Sequence, residues 1–295
     1  MIHPEPSIRV HVDPTNPGQF FACCGLLELA DRLWSGAEGW FADSTFCLQA
    51  VDPGARPVAS PTRLIDELAR CRITNTMTEA QLRRLAELSR MKSSERAKSE
   101  VLQAEKKALD SLRRESPIRL HAPFDMLIEW FLDKRTGGSR YKTWAGQQSV
   151  IDITEGMHRA LSVGDWAESP PGEWLSRSVS ADELPFNFDS RLSSQGSAID
   201  AGFSFDPLGF KTPSRPLLEL AAFVGLQRFR PSPVPDENLY RYDLWPTPLL
   251  PSAAAAAASG AAPVFGSRQY EFRLLYRTEY LKSFLPAQPY RGDAR

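Results

Sequence analysis

The stretch 134–149 collects the side chains of this chain that are best suited to binding chemistry. It carries four cations, two aromatic residues and two adjacent glutamines, namely Lys134, Arg135, Arg140, Lys142, Tyr141, Trp144, Gln147 and Gln148. Cations bind phosphates, aromatic rings stack on sugars or bases, and glutamine amides pair with base edges. Gly137 and Gly138 allow close backbone approach to a ligand. The stretch predicts a nucleic-acid-binding loop; the alternative is an exposed hairpin whose Trp144 packs in the core.

The turn at 16–19 is a second candidate contact. Asn16 is a good N-cap, Pro17 suits the first helical position, and Gln19 stands where a capping box returns a hydrogen bond. A capped helix start is therefore one interpretation. In the other, the N–H groups of this helix end hold a phosphate, or Asn16 or Gln19 reaches a base.

The segment 187–195 is the third candidate. Its polar and basic side chains suit contacts to phosphate or to the minor groove: Asn187, Arg191, Ser193, Ser194 and Gln195. A plain surface loop is the alternative. Lys211 and Arg215 flank the next predicted helix start and would add positive charge.

Catalytic motifs are weak by comparison. Asp189, Asp200 and Asp206 are spaced like carboxylates that share a metal, as a nuclease would require, but nearby Phe and Gly residues fit a structural loop better. The sequence has no Gly-x-Ser-x-Gly elbow and no phosphate-binding GxxxxGK[ST] loop. Four cysteines without a CxxC pair favour buried thiols over zinc: Cys23, Cys24, Cys47 and Cys71. We therefore expect a non-enzyme with no metal and no cofactor.

Composition sets the broad class. The chain has 295 residues, a formal net charge of -1, 42% hydrophobic and 24% charged residues, as in an ordinary globular protein. Near-neutral charge argues against non-specific coating of nucleic acid but allows a local basic face. No secretion signal and no run of about 18 apolar residues is evident, so we expect a cytoplasmic protein that does not contact membranes.

The elements that must position these side chains follow from periodicity and caps. Strands are predicted at 8–12, 46–48, 124–130 and 270–276, and helices at 17–34, 62–70, 149–161 and 215–229. The strand at 124–130 would end in the basic loop. These elements predict an α+β protein with a mixed sheet, packed helices, a charged helical arm and basic loops.

A long charged helix or helical hairpin is predicted at 78–115. Residues 79–115 hold ten Lys/Arg against seven Asp/Glu, a net of +3. The interpretation we favour is a solvated, salt-bridged arm; the other is a phosphate-facing stripe. The stripe would consist of Arg83, Arg84, Arg90, Lys92, Arg96 and Lys98.

Two regions are expected along the chain. Residues 1–235 would form the main α+β region with the charged arm. Residues 236–295 would form a C-terminal strand and helix region. The alanine-rich run at 251–263 is predicted to be a flexible surface loop.

Three segments together resemble a known family: VDPTNPGQFFACCGLLELA at 12–30, KTWAGQQ at 142–148, and DAGFS at 200–204. They are similar to the large subunit of a type I-G (formerly I-U) CRISPR effector complex, the compact Cascade. The resemblance covers most of the chain, from the first strand to the helix at 217–229. Because the chain is short for such a subunit, a separate C-terminal helical bundle is expected to be reduced or absent.

The resemblance implies a role without catalysis. Such a subunit lies near the 5′ end of the crRNA, recognises the protospacer-adjacent motif (PAM) in target double-stranded DNA, promotes unwinding, and recruits the helicase–nuclease. Its partners would be crRNA, target DNA, the Cascade backbone subunits and the crRNA-processing subunit. The alternatives are a metal-dependent nuclease or crRNA-processing protein of the same operon, and a pure assembly scaffold.

Overall fold

The computed structural model describes residues 4–50, 59–91, 99–132, 138–144, 149–164, 166, 168–181, 185–191, 212–235, 238–276 and 282–290. Its α-helices are α1 (Pro17–Trp34), α2 (Pro61–Arg70), α3 (Glu79–Arg90), α4 (Glu100–Glu115), α5 (Val150–Val163), α6 (Pro216–Gly225) and α7 (Pro251–Ala258). Its strands are β1 (Ile8–His11), β2 (Ala37–Ala42), β3 (Thr45–Ala50), β4 (Ile73–Asn75), β5 (Ile118–Leu120), β6 (Met126–Ile128), β7 (Val179–Ala181), β8 (Thr212–Ser214), β9 (Ser232–Pro233), β10 (Leu239–Leu244), β11 (Arg268–Tyr276), β12 (Lys282–Phe284) and β13 (Gln288–Pro289). The predicted α+β class is confirmed.

Helix α1 lies at the centre of the core, as its apolar sequence predicts. It is buried along almost its whole length, and the left-handed Ser35 (φ 56°) follows its last residue. The helix therefore ends at Trp34, as the prediction of 17–34 has it, and Gly39 belongs to β2. The four cysteines are buried free thiols, as expected.

The helices α1 and α6 touch backbone to backbone. A Cβ at Gly25 would lie 1.8 Å from the Ala221 carbonyl oxygen, and a Cβ at Gly225 would lie 2.1 Å from the Phe21 carbonyl oxygen. Only glycine fits at either position, because the Cβ of any other residue would clash with the carbonyl oxygen of the neighbouring helix. The two glycines therefore set the distance between the two most buried helices.

Antiparallel sheets enclose this helix pair. The N-terminal sheet has the order β1-β3-β2, and the C-terminal sheet has the order β12-β11-β10-β9 with β13 also on β11. Phe20 of α1 stacks on Tyr242 of β10, with ring centroids 4.2 Å apart. Smaller sheets are formed by β4-β5-β6 and by β7-β8. Strands β9 and β10 pair across the predicted boundary at 235/236, so the two predicted regions share one sheet.

The alanine-rich run contains a helix, not the flexible loop that was predicted. Alanine has the highest helix propensity, and Pro251 stands at the first turn, where proline is tolerated. Ala254, Ala257 and Ala258 are buried against the core. The small alanine side chains allow α7 to pack closely against the core, so the run is ordered although its sequence is of low complexity.

The charged arm is two packed helices, α3 and α4, as the helical-hairpin interpretation expects. Thr78 caps α3 through a complete capping box with Gln81. Arg84 on α3 binds Glu105 on α4, with Nη2 and Oε2 2.7 Å apart. The connection at 92–98 lies outside the described residues.

Candidate nucleic-acid interface

The described part of the basic segment, 138–144, presents its cations from a fixed backbone. Gly138–Tyr141 form a short 3-10 helix. Tyr141 is buried and donates its hydroxyl to the Pro231 carbonyl oxygen at 2.8 Å. Trp144 is also buried, and its ring packs against Trp130, Phe131, Phe186 and Phe223. The packing of Trp144 in the core is thus the predicted alternative.

The two described cations of this segment lie next to the buried Tyr141 in the sequence. Arg140 directly precedes Tyr141, and Lys142 directly follows it. Arg140 is exposed. Lys142 is half-buried, with its Nζ 5.3 Å from the centre of the Trp144 ring, a cation–π distance. Thr143, between Lys142 and Trp144, donates its hydroxyl to the Phe186 carbonyl oxygen. The backbone carrying the two cations is therefore tied to the core at Tyr141, Thr143 and Trp144.

An open groove of about 680 Å³ lies beside Arg140. We call it the tyrosine groove; its lining residues are Arg140, Pro233, Val234, Pro235, Asn238, Tyr240 and Tyr276. Tyr240 is almost fully buried at 5% exposure, whereas Tyr276, at the end of β11, is 49% exposed. Burial raises the pKa of Tyr240, the nearby Tyr276 raises it further, and Arg140 lowers it. The groove thus combines aromatic surface with a positive charge.

Asn16 and Gln19 lie inside the protein and not on its surface. Asn16 caps α1, its Oδ1 accepting from the N–H groups of Gly18 (3.1 Å), Gln19 (3.4 Å) and Ser190 (3.3 Å). Gln19 accepts from the N–H of Asp13 at 2.6 Å, so its return bond goes to Asp13 and not to Asn16. The predicted N-cap is confirmed. Both side chains are buried, and the N–H groups of Gly18 and Gln19 at this helix end already donate to Asn16, which argues against a base or phosphate contact here.

Asp189 is the centre of a buried polar cluster. Its Oδ1 accepts from Asn16 Nδ2 at 2.7 Å, and its Oδ2 accepts from Arg215 Nη1 at 2.8 Å. Arg191 binds both oxygens at 3.0 Å. Burial alone would raise the pKa of Asp189, but Arg191, Asn16 and Arg215 hold that pKa below its usual value. Asp189 is occupied by internal partners, which argues against its predicted alternative role as a metal ligand.

Glu219, on α6, completes the cluster from the other side. It is fully buried and accepts from the backbone N–H groups of Phe188 and Asp189, each at 3.3 Å. Burial, reinforced by the negative charge of Asp189, raises the pKa of Glu219 to about 8. The cluster therefore fastens the 185–191 segment to the starts of α1 and α6, and no sequence motif signalled Glu219.

The other candidates in the 187–195 segment have structural roles where they are described. Asn187 adopts a left-handed backbone (φ 69°), which asparagine tolerates better than most residues. Arg191 is exposed at the surface, and its guanidinium donates both to Asp189 and to the Leu175 carbonyl oxygen, the latter at 2.8 Å. Several predicted site residues lie outside the described ranges: Lys134, Arg135, Gly137, Gln147, Gln148, Ser193, Gln195 and Lys211.

The phosphate stripe on the charged arm is only partly described. Arg83 and Arg90 are exposed. Arg84 binds Glu105 and Glu87, an arrangement typical of a salt-bridged helix surface. Three predicted members lie outside the described ranges: Lys92, Arg96 and Lys98.

Sequence reasoning missed most of the tyrosine groove. Arg140 was identified, but Asn238, Tyr240 and Tyr276 lie 98 to 136 positions further along the chain and share no motif with it. The available signal was the alternation of apolar and polar residues along β10 and β11. This alternation predicts strands, but it does not show that the strands lie next to Arg140.

Comparison with protein-family models and with curated proteins finds no match for this chain. Within the described ranges, no helix combines the length and the apolar character that a membrane span requires. The same residues contain no group of three His, Cys, Asp or Glu side chains arranged to hold a metal ion.

Proposed function

We propose that this chain is a non-catalytic DNA-binding subunit of a CRISPR RNA-guided surveillance complex of type I-G. In this role it recognises the PAM in target double-stranded DNA, promotes unwinding and R-loop formation, and recruits the helicase–nuclease. Its partners are crRNA, the Cascade backbone subunits and the crRNA-processing subunit, in the cytoplasm. The proposal rests on the resemblance of the segments at 12–30, 142–148 and 200–204.

The observation that carries the DNA-binding part is the anchoring of the basic segment. Arg140 is exposed one residue before Tyr141, whose hydroxyl is bonded to Pro231, and four residues before the buried Trp144. A cation on an anchored backbone loses less conformational entropy on binding than one on a mobile loop. This arrangement suits contacts that set the register of a duplex.

The mechanism would be positional. Phosphate contacts from Lys134, Arg135, Arg140 and Lys142 set the register, and polar side chains such as Gln147 or Gln148 read a short motif. Unstacking a base step costs a few kcal/mol, so binding must offset it. Pairing with the guide RNA then supplies sequence specificity.

The test is electrophoretic retention of a PAM-bearing duplex by the purified assembly, with and without this subunit and without added metal. A duplex with a scrambled PAM is the control. Retention that requires both the subunit and the intact motif would support the proposal. Equal retention without the subunit would contradict it.

The nuclease alternative would need Asp189 to bind metal. Its engagement with Asn16, Arg191 and Arg215 disfavours that role. Cleavage that depends on a divalent metal and is lost in Asp189→Asn or Asp200→Asn would favour the nuclease alternative. The scaffold alternative would bind partner proteins in high salt but show no DNA affinity, alone or in the complex.

A further inference from the structure

We propose that the tyrosine groove binds an unpaired nucleotide of a single DNA strand, with its base on Tyr276 and its phosphate at Arg140. This inference rests on the proposed DNA-binding function and adds which form of DNA the groove accepts. Its basis is the geometry of the groove and the chemistry of its walls.

The walls come from three separate parts of the chain. Pro233, Val234 and Pro235 belong to the end of β9 and the turn that follows it, which is closed by a 2.9 Å hydrogen bond from the Val234 N–H to the Leu239 carbonyl oxygen. Tyr276 ends β11, and Arg140 comes from the 3-10 helix at Gly138–Tyr141. The apolar and aromatic surface between them is the kind on which bases stack.

The wall nearest Arg140 is rigid. Tyr141 packs edge-on against Tyr240, with ring centroids 5.1 Å apart, and its hydroxyl is bonded to Pro231. Tyr240 lies opposite Pro233 in the β9–β10 pairing. The position of the Arg140 backbone relative to the groove is therefore set by packing, so a phosphate at Arg140 and a base in the groove would be held at a fixed separation.

The groove also offers a polar group for a base edge. Asn238 donates its Nδ2 to the Leu274 carbonyl oxygen at 3.2 Å, which orients the amide. Its Oδ1 is then the amide atom available as an acceptor for a base amino or imino group. One acceptor gives little sequence discrimination, so we expect weak base preference.

Stacking on Tyr276 selects unpaired bases. In a duplex, each base is stacked on its neighbours, so a ring set in a groove can stack only on a base that has left the helix. Tyr240 is nearly buried at 5% exposure, and Tyr276 is half-exposed. An unpaired base can stack on the exposed ring of Tyr276, whereas the bases within a duplex cannot.

The test compares the full chain with three variants by fluorescence anisotropy, using labelled oligothymidylate, oligouridylate and a blunt duplex. Tyr276→Ala removes the stacking ring and is expected to weaken binding of oligothymidylate about tenfold or more. Tyr276→Phe keeps the ring and should bind as the wild type does. Phe265→Ala removes a fully exposed aromatic residue outside the groove and is the matched control, expected to change nothing.

Binding of the blunt duplex should be unchanged in Tyr276→Ala. The inference is overturned if this variant binds oligothymidylate like the wild type, if it loses strand and duplex binding equally, if oligouridylate binds more tightly, or if the wild type binds no strand. If the protein binds the duplex and Tyr276→Ala does not weaken binding of oligothymidylate, the proposed function is supported and the role of the tyrosine groove is contradicted. Strand binding that needs Tyr276, in an assembly that ignores the PAM, would support the groove and contradict the proposed function.

Discussion

Asn16 and Asp189, 173 positions apart in the sequence, are joined inside the protein by a 2.7 Å hydrogen bond from Asn16 Nδ2 to Asp189 Oδ1. The same Asn16 amide uses its oxygen to cap α1. One side chain therefore begins the central helix and holds the 185–191 segment against it. Aspartate, another common N-cap residue, could accept the bonds that cap α1, but when ionised it has no donor for Asp189.

Substitutions at Asn16 should separate these two roles. Asn16→Asp keeps a good N-cap acceptor but sets a second carboxylate against Asp189, and Asn16→Ala loses both the cap and the bond to Asp189. We expect each to lower the free energy of unfolding by about 2 kcal/mol or more, measured by chemical denaturation. An Asn16→Asp protein as stable as the wild type would show that the bond to Asp189 is dispensable.

The pH dependence of stability should report Glu219. Its pKa rises from 4.5 to about 8 in the folded protein, so between these values the folded state holds a proton that the unfolded state releases. This contribution is fully present below pH 4.5 and is lost as the pH rises through about 8. Glu219→Gln, which mimics the neutral side chain, should flatten the fall in stability across that window in urea titrations. An unchanged pH profile would contradict a protonated Glu219.

The close contact between α1 and α6 predicts unequal effects of glycine substitution. Gly25→Ala and Gly225→Ala each place a Cβ within about 2 Å of a backbone oxygen, so we expect a loss of about 3 kcal/mol in unfolding free energy. Gly172→Ala is the matched control, since nothing lies within 4 Å of its Cβ position, and should shift stability by less than about 0.5 kcal/mol. Equal thermal midpoints for the three variants would refute the backbone contact.

Removing charge from the basic segment should weaken duplex capture by the assembly. Replacing Lys134, Arg135, Arg140 and Lys142 with Ala should lower affinity and make the plot of log K against log salt shallower by about 0.9 for each lost phosphate contact. Arg84→Ala is the control, because Arg84 is bound to Glu105 and Glu87 and should leave the slope unchanged. An unaltered slope in the fourfold variant would contradict a role of this segment in DNA binding.

Local patterns predicted much of this fold. The alternation of Ile8 and Val10, the Asn16–Pro17 helix start and the apolar run of α1 are features of neighbouring residues, and each element formed where its pattern indicated. The alanine-rich helix differs from the prediction, because a low-complexity run of alanines predicts a flexible loop only where nothing packs against it. Its burial depends on a partner surface formed by β10, α1 and β2, which a local pattern does not contain.

The sequence by itself determined the first strand, the start and burial of α1 and the helical character of the charged arm, because side-chain periodicity and capping act over a few residues. Only the tertiary structure decided that Asn16 bonds to Asp189 and that Arg140 and Tyr276 line the same groove. Such pairs join elements more than 130 positions apart. Their meeting depends on the packing of whole helices and sheets, to which Gly25, Gly225 and the aromatic core contribute at long range.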